Sequence, residues 1–240
     1  MKNILLIGGS GFVGSRLTAA LSRHGHRICV PTRRRERARH LLVLPTVEVV
    51  EANVHDEATL RSLMAGWDAV INLVGILKGG RGEPYGAGFA HAHVELPRKI
   101  VRVMQDAGVR RLLHMSALQA DDRAPSGYLR SKAAGEAAAF AVAPPVAVTV
   151  FRPSVIFGQG DSFLSLFASL LRIAPLLPLA CPEARFQPIW VDDVAELMAE
   201  SLERAESYGQ AYDLGGPRVY TLRELVRYAY RKILGEEPFP

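Results

Sequence analysis

The sequence predicts an α/β fold in which helices cover both faces of a doubly wound parallel sheet. Three observations lead there. A continuous apolar run, Ile4-Leu5-Leu6-Ile7, reads as a strand buried on both faces. A glycine-spaced turn, Gly8-Gly9-Ser10-Gly11-Phe12-Val13-Gly14, leads from it straight into a helical pattern. Strand and helix signals then alternate through most of the chain. Together they predict a Rossmann-type sheet over residues 1–158, with residues 159–240 forming a small C-terminal lobe interleaved with the core.

Each element follows from local signals. The first helix runs from Phe12 to about Ser22 and stops at His24-Gly25, where glycine accepts the backbone that ends helices. Arg27-Ile28-Cys29-Val30 is the second strand, Arg34 to Leu44 a basic helix, Val47-Glu48-Val49-Val50 the third strand and His55 to Met64 the next helix. Ala69 to Val74 is the fourth strand. Lys78 to Gly88 carries five glycines and Pro84 and reads as a flexible loop. Phe89 to Ala107 is a long helix closed by Gly108, with Pro97 predicting a kink. Arg111 to Met115 is the fifth strand, Tyr128 to Ala141 an alanine-rich helix and Val146 to Phe151 the sixth strand. Past Gly158, prolines punctuate shorter segments. A strand and turn over Tyr208 to Gly216 lies between helices at Val191 to Ala205 and Leu222 to Leu234.

Composition narrows the class. Cys29 and Cys181 match no metal or redox motif, so reduced thiols and a cytoplasmic setting are expected. His91-x-His93 is the one histidine spacing of note, and no metal site is expected. Phe163 to Ala180 is the most apolar stretch, but Arg172, Pro175 and Pro178 interrupt it, so it is no transmembrane segment. Its repeat, Phe163-Leu164-x-x-Phe167-x-x-Leu170-Leu171, followed by Leu176-Leu177-Pro178-Leu179, has two readings: a helix packed inward over a pocket, or an exposed patch that docks a protein surface. The formal charge of +5 is matched by five clustered arginines, Arg33, Arg34, Arg35, Arg37 and Arg39. Their position points away from nucleic acid.

That position is the end of the second strand, and the glycine turn explains it. In such a turn the first glycine permits the sharp bend, the second admits a pyrophosphate and the third lets helix and strand pack closely. The helix N-terminus adds N–H donors and partial positive charge. Gly8, Ser10, Gly11, Phe12, Val13 and Gly14 are therefore the candidate cradle for a dinucleotide. NAD-binding units place a carboxylate after the second strand to accept the ribose hydroxyls. Here Val30-Pro31-Thr32-Arg33-Arg34 offers guanidinium instead, which suits a 2′-phosphate, while Glu36 falls inside the next helix. NADP(H) is expected in preference to NAD(H). After the third strand, Ala52-Asn53-Val54 offers an amide that either pairs with the adenine edge or only shapes the turn.

Tyr128-Leu129-Arg130-Ser131-Lys132 places a phenol and an ammonium four residues apart on one helical face. The ammonium favours the phenolate, so the pair suits proton exchange with a carbonyl oxygen while a nicotinamide moves a hydride.

With these motifs the chain resembles the short-chain dehydrogenase/reductase superfamily, in its extended or atypical, NAD-dependent epimerase/dehydratase-like branch. The resemblance covers nearly all of the chain. It rests on the glycine turn, Asn53, Asn72-Leu73-Val74-Gly75, Tyr128-x-x-x-Lys132 and Phe151-Arg152-Pro153-Ser154-Val155-Ile156-Phe157-Gly158. More closely, Tyr128 to Glu136 and Arg152 to Gly158 resemble the nucleotide-binding accessory subunit of respiratory complex I and its bacterial relatives, which bind NADPH, often without demonstrated turnover. The resemblance implies that Leu73, Val74, Gly75 and Ile76 line the cofactor and that Pro153, Ser154, Val155 and Ile156 pass beside the nicotinamide. It also implies a respiratory-complex type of protein partner, peripheral placement at an inner membrane through that partner, and further apolar material past Pro240.

Two departures bear on activity. Extended members place a catalytic Ser or Thr just past the fifth strand; Ser116-Ala117 puts Ala117 at that position, with Ser116 as the candidate after a one-residue shift. His93 stands where the long helix commonly carries Asn. Three functions follow: a complex-I-subunit type of module with weak or vestigial oxidoreductase activity, an active oxidoreductase or epimerase on a sugar-nucleotide or hydrophobic carbonyl, and an NADP-sensing regulator.

Overall fold

The structure, a computed structural model, describes residues 1–173 and 178–234. Among them are strands β1 (Asn3–Ile7), β2 (Arg27–Thr32), β3 (Val47–Glu51), β4 (Ala69–Asn72), β5 (Arg111–Met115) and β6 (Ala147–Pro153). Shorter strands follow: β7 (Ile156–Phe157), β8 (Arg185–Phe186), β9 (Ile189–Trp190), β10 (Gln210–Leu214) and β11 (Tyr220–Thr221). The helices are α1 (Phe12–Arg23), α2 (Glu57–Met64), α3 (Ala87–Phe89), α4 (Leu96–Ala107), α5 (Gly127–Phe140), α6 (Phe163–Ile173), α7 (Val191–Ser201) and α8 (Leu222–Leu234).

Seven strands form one parallel sheet in the order β10-β6-β5-β4-β1-β2-β3. The chain builds outward from β1 through β2 to β3, then crosses to β4 on the other side. The connections leaving the carboxyl ends of β1 and β4 therefore run to opposite sides, leaving a crevice there, where ligands of open α/β sheets bind. Side chains alternate across β1: Ile4 and Leu6 pack with Leu17 and Leu21 of α1 and Met198 of α7, while Leu5 and Ile7 pack with Leu60 and Met64 of α2 and Ile100 of α4. All four β1 side chains are fully buried. Period-two alternation into two cores is why the run is uniformly apolar.

The C-terminal residues are threaded into this frame. β10 extends the main sheet beside β6, and α7 covers the face shared with α1. β11 pairs antiparallel with β8, β7 pairs with β9, and Val226 and Ala229 of α8 pack against Phe167.

Several elements differ from their sequence patterns for local reasons. The segment expected as a basic helix from Arg34 to Leu44 is a 3-10 helix, Arg35–Leu41, in which Ala38 and Leu41, three apart, are the buried positions. That spacing matches a three-residue turn. β4 stops at Asn72 and not Val74, because the Asn72 Oδ1 accepts the Val74 N–H at 3.2 Å and turns the chain. Before Pro97 the helix is π-wound over Ala90–Glu95. Pro97 has no N–H to give the His93 carbonyl. Gly135 of α5 approaches that carbonyl so closely that a Cβ there would lie 2.1 Å from its oxygen. The helix expected over Val191 to Ala205 ends at Ser201, with a 3-10 turn at Ala205–Ser207. In the apolar segment α6 forms, with Phe163, Leu164 and Phe167 half-buried and Leu166 and Leu170 exposed. Leu176 and Leu177 lie outside the described residues. Among the described residues no helix is long and apolar enough to cross a membrane.

One buried cation ties the last strands to the sheet. Arg111, 7% exposed at the start of β5, donates to the carbonyls of Leu202 (3.0 Å), Ala147 (3.0 Å) and Ser201 (2.6 Å) and to the Ser207 Oγ (3.0 Å). Its guanidinium lies 4.5 Å from the centre of the Tyr208 ring, and burial pulls its pKa down to about 10. Removing the cation strands several buried acceptors. Arg111→Met should therefore cost about 3 kcal/mol or more in urea unfolding; a loss below about 1 kcal/mol would show the latch to be dispensable.

Candidate functional site

The β1–α1 turn is built by close approach. Gly8 has φ +89°, and a Cβ on Gly14 would lie 2.2 Å from the Gly8 carbonyl oxygen. Both positions demand glycine for the protein's own geometry. Gly11 differs. It is exposed, and a Cβ there would meet nothing nearer than the Gly8 oxygen at 3.3 Å. The space beside it, at the start of α1 with no side-chain cap, is free for an anion.

A cleft of about 610 Å³ runs from Gly8 and Ser10 across Thr32, Arg33, Arg34 and Arg37 to Ala52, Val54, His55, Val74 and His91. No carboxylate is among its lining residues. The arginines are exposed, and among the described residues no carboxylate pairs with Arg33, Arg34, Arg35, Arg37 or Arg39. Thr32 holds the loop through its hydroxyl, which meets the Arg34 carbonyl at 3.2 Å. Asn53 stands beside the cleft with its Oδ1 accepting the His55 N–H at 3.1 Å, so its acceptor is spent on the turn. His55 and His91 stack at 3.9 Å on the cleft wall. Burial, then the neighbouring His91, Lys99 and Arg33, lowers the His55 pKa to about 4.

The cleft's neighbour, about 540 Å³, holds the phenol and ammonium of the predicted pair. Tyr128, Lys132, Ser116 and Ala117 line it, with Phe12, Val13, Leu73, Gly75 and the Pro153–Ile156 stretch. Ser126 caps α5 by accepting the Leu129 N–H at 3.2 Å, which puts Tyr128 in the first turn and Lys132 one turn on. Lys132 Nζ donates to the Met115 carbonyl at 2.7 Å, and burial lowers its pKa to about 8 against the pull of Glu136. Glu136 is itself engaged: Arg152 Nε donates to it at 2.9 Å. Burial pushes the Tyr128 hydroxyl above its usual range. The Ser116 Oγ is buried and has no hydrogen-bond partner among the described residues. Such an orphan is an acceptor-donor waiting for a ligand. Among the predicted residues, Gly14 and Asn53 line neither half, while Gly11 opens onto an adjoining space with Ser15 and His40.

Beneath this wall lies a buried histidine layer whose role the sequence pattern left unread. His93 Nε2 accepts the Ile76 N–H at 2.9 Å, so its Nδ1 carries the proton and meets the Ser131 Oγ at 2.8 Å; Ser131 in turn donates to the Tyr128 carbonyl at 2.7 Å. The loop after β4 and the catalytic turn of α5 are thus joined through one imidazole. His114 Nδ1 faces the Asn72 amide at 3.2 Å. The signal was partly visible, since His91-x-His93 sits in the helix, where residues two apart face nearly opposite sides, so one ring lies on the cleft and the other in the core. Burial drives both His93 and His114 down to about pKa 3. Both are neutral when folded and gain a proton near pH 6.5 when unfolded, so stability is full above that pH and falls as pH drops toward 3. Urea unfolding should lose about 3 kcal/mol per pH unit between pH 6 and 4 from these two rings. A His114→Asn variant should lower the measured slope by about 1.4 kcal/mol per pH unit, and an unchanged slope would remove His114 from the account.

The profile of the NAD dependent epimerase/dehydratase family matches residues 4–215. Among curated proteins, NADH dehydrogenase (ubiquinone) 1 alpha subcomplex subunit 9, mitochondrial, of Arabidopsis thaliana is 32% identical over 235 residues, 95% of this chain and 57% of that protein. Ceramide reductase of Caulobacter vibrioides is 32% identical over 193 residues, 80% of this chain and 58% of its own length. The chain thus spans less than two-thirds of these relatives. Among solved structures, a dTDP-glucose 4,6-dehydratase from Streptomyces venezuelae with NAD bound superposes with a TM-score of 0.83 at 22% identity, covering 98% of this chain and 81% of the other. That likeness speaks to the fold, and the profile, which takes in the glycine turn and the Tyr128–Lys132 helix alike, speaks to ancestry: the chain belongs to the NAD dependent epimerase/dehydratase family.

Proposed function

We propose that this chain is an NADP(H)-binding module of the complex I accessory-subunit type, with weak or vestigial oxidoreductase activity. The observation that carries the cofactor choice is the cleft's cationic rim. Arg33, Arg34 and Arg37 stand unpaired where NAD-binding units hold a carboxylate. Gly8, Ser10, Gly11, Phe12 and Val13 would hold the pyrophosphate, Val54 and Val74 the adenosine side, and Leu73, Gly75, Pro153, Ser154, Val155 and Ile156 the nicotinamide end. NAD(H), lacking the 2′-phosphate, would bind in the same place more weakly. When bound, the dinucleotide supplies or accepts a hydride. Ser116 would hold a carbonyl oxygen and Tyr128 would give it a proton.

Three features support weak turnover. Ala117 supplies no hydroxyl at its position. Lys132 is bonded to the Met115 carbonyl, and burial alone raises the Tyr128 pKa, with no lowering by the lysine. The competing reading, an active oxidoreductase, is favoured by the orphan Ser116 Oγ. The relatives named as mitochondrial complex I subunits support a partner of that type and a peripheral place at the inner membrane.

Calorimetric titration tests the cofactor. NADPH should bind about ten- to a hundredfold tighter than NADH, the worth of a charge-assisted contact of about 1.5–3 kcal/mol, and Arg33→Glu should erase the difference. Equal affinities in the unaltered protein would sink the assignment. Any carbonyl reduction found in a substrate screen should vanish in Tyr128→Phe with NADPH affinity kept. Its rate should fall as pH rises through about 8, where Lys132 loses its charge; Ala117→Ser should raise it. Robust turnover by the unaltered chain would favour the active enzyme instead.

A further inference from the structure

The open half of the site differs sharply from the cationic half. Leu77, Met115, Leu118, Leu129, Phe163 and Phe186 make up much of its wall, and no Asp or Glu side chain lines it. Its two cations are unequal. Lys132 is 4% exposed and held by the Met115 carbonyl. Arg185, on β8 at the mouth, is exposed, and among the described residues no carboxylate pairs with it. The Ser154 Oγ already accepts the Gln187 N–H at 3.3 Å.

Apolar surface continues out of the pocket. Leu77 is 71% exposed at its edge. Phe163, at the start of α6, lines the pocket and packs 5.6 Å from Phe186. Leu166 and Leu170 follow it at positions i+3 and i+7, one face of the helix, and are 56% and 39% exposed. The stripe begins at Phe163, which lines the pocket together with Arg185. A diphosphate would bring two negative charges here against Arg185, the one exposed cation among the described lining residues, and sugar hydroxyls would find few polar side chains, Ser116, Gln119, Tyr128 and Ser162 among them, on a wall that is mostly apolar. An alkyl chain laid on the stripe would instead remove apolar surface from water on both sides.

Resting on the dinucleotide reading given above, we propose that this pocket takes a carbonyl compound with an acidic group close to the carbonyl and a long apolar chain. The carbonyl oxygen meets Ser116 and Tyr128, the acidic group meets Arg185, and the chain runs out along Phe163, Leu166 and Leu170.

The test uses the full 240-residue chain loaded with NADP⁺, which permits binding without reduction. Calorimetry first records the NADP⁺ affinity, then titrates 4-oxohexadecanoate below its micelle concentration. Three comparison probes follow: 4-oxopentanoate, which lacks the chain, 2-pentadecanone, which lacks the acid, and UDP-glucose. The long keto acid should bind at least about a hundredfold tighter than the short one. Arg185→Ala should weaken the keto acid about tenfold and leave 2-pentadecanone unchanged. Leu166→Asp, at an exposed position, should weaken only the long-chain probes. UDP-glucose binding more tightly than the long keto acid, affinity independent of chain length, or indifference to Arg185→Ala would each overturn the proposal. If NADP⁺ binds and any of these occurs, the substrate class falls and the cofactor reading stands. If NADP⁺ does not bind, both fall.

Discussion

The contact between Gly14 and the Gly8 carbonyl is the constraint on which the site depends. With a Cβ at Gly14 only 2.2 Å from that oxygen, α1 and β1 could not cross so closely. This approach points the first turn of α1 at the crevice between β1 and β4, where strand order reverses. Everything a dinucleotide needs follows from that aim: helix N–H groups for the pyrophosphate, the end of β2 for one ribose, and the end of β5 for the other end of the molecule. Period-two burial of Ile4 to Ile7 then locks the strand between two helical layers, so the turn has little freedom to shift.

A second close approach sets the catalytic helix. Pro97 withholds an N–H from the His93 carbonyl, and Gly135 brings α5 against the oxygen thus freed. With α5 at that depth, Lys132 is buried, Ser131 reaches His93, and Glu136 reaches Arg152 from β6. Substituting alanine at Gly135 would push the helix outward and carry Tyr128 and Lys132 with it. His93 and Pro97 of one helix and Gly135 of another, about 40 residues on, thereby determine where one phenol sits.

The parts legible in sequence were those with local causes. The apolar β1 run, the glycine turn, the arginines after β2 and the Tyr128–Lys132 spacing each carry their meaning within a few residues. What escaped depends on contacts between distant segments. The Arg111 latch joins a strand start to a helix end 90 residues later, and nothing around Arg111 marks it as buried. The 3-10 winding of Arg35–Leu41 and the early end of β4 at Asn72 are decided by single side chains, which a hydrophobic pattern averages away. The amide of Asn53 had two readings, and the His55 N–H at 3.1 Å shows one demand on it that is met within the turn.

The two halves of the cleft also explain each other electrically. The arginine rim is exposed, so its charge survives and draws phosphate, though screened by salt. In the more apolar half, burial pushes Tyr128 and Lys132 toward their neutral forms. Tyr128 moves up and Lys132 moves down to about 8. A phenol that holds its proton serves as an acid more readily than as a base. Such a pair is biased toward giving a proton to a carbonyl oxygen, the reductive direction, and against drawing one from an alcohol. The burial that raises the tyrosine pKa and the apolar wall that would admit an alkyl chain therefore favour the same chemistry, an uncharged carbonyl meeting a protonated phenol. A nucleotide sugar would need a wetter and more charged wall, and the tyrosine beside such a wall would ionise more easily.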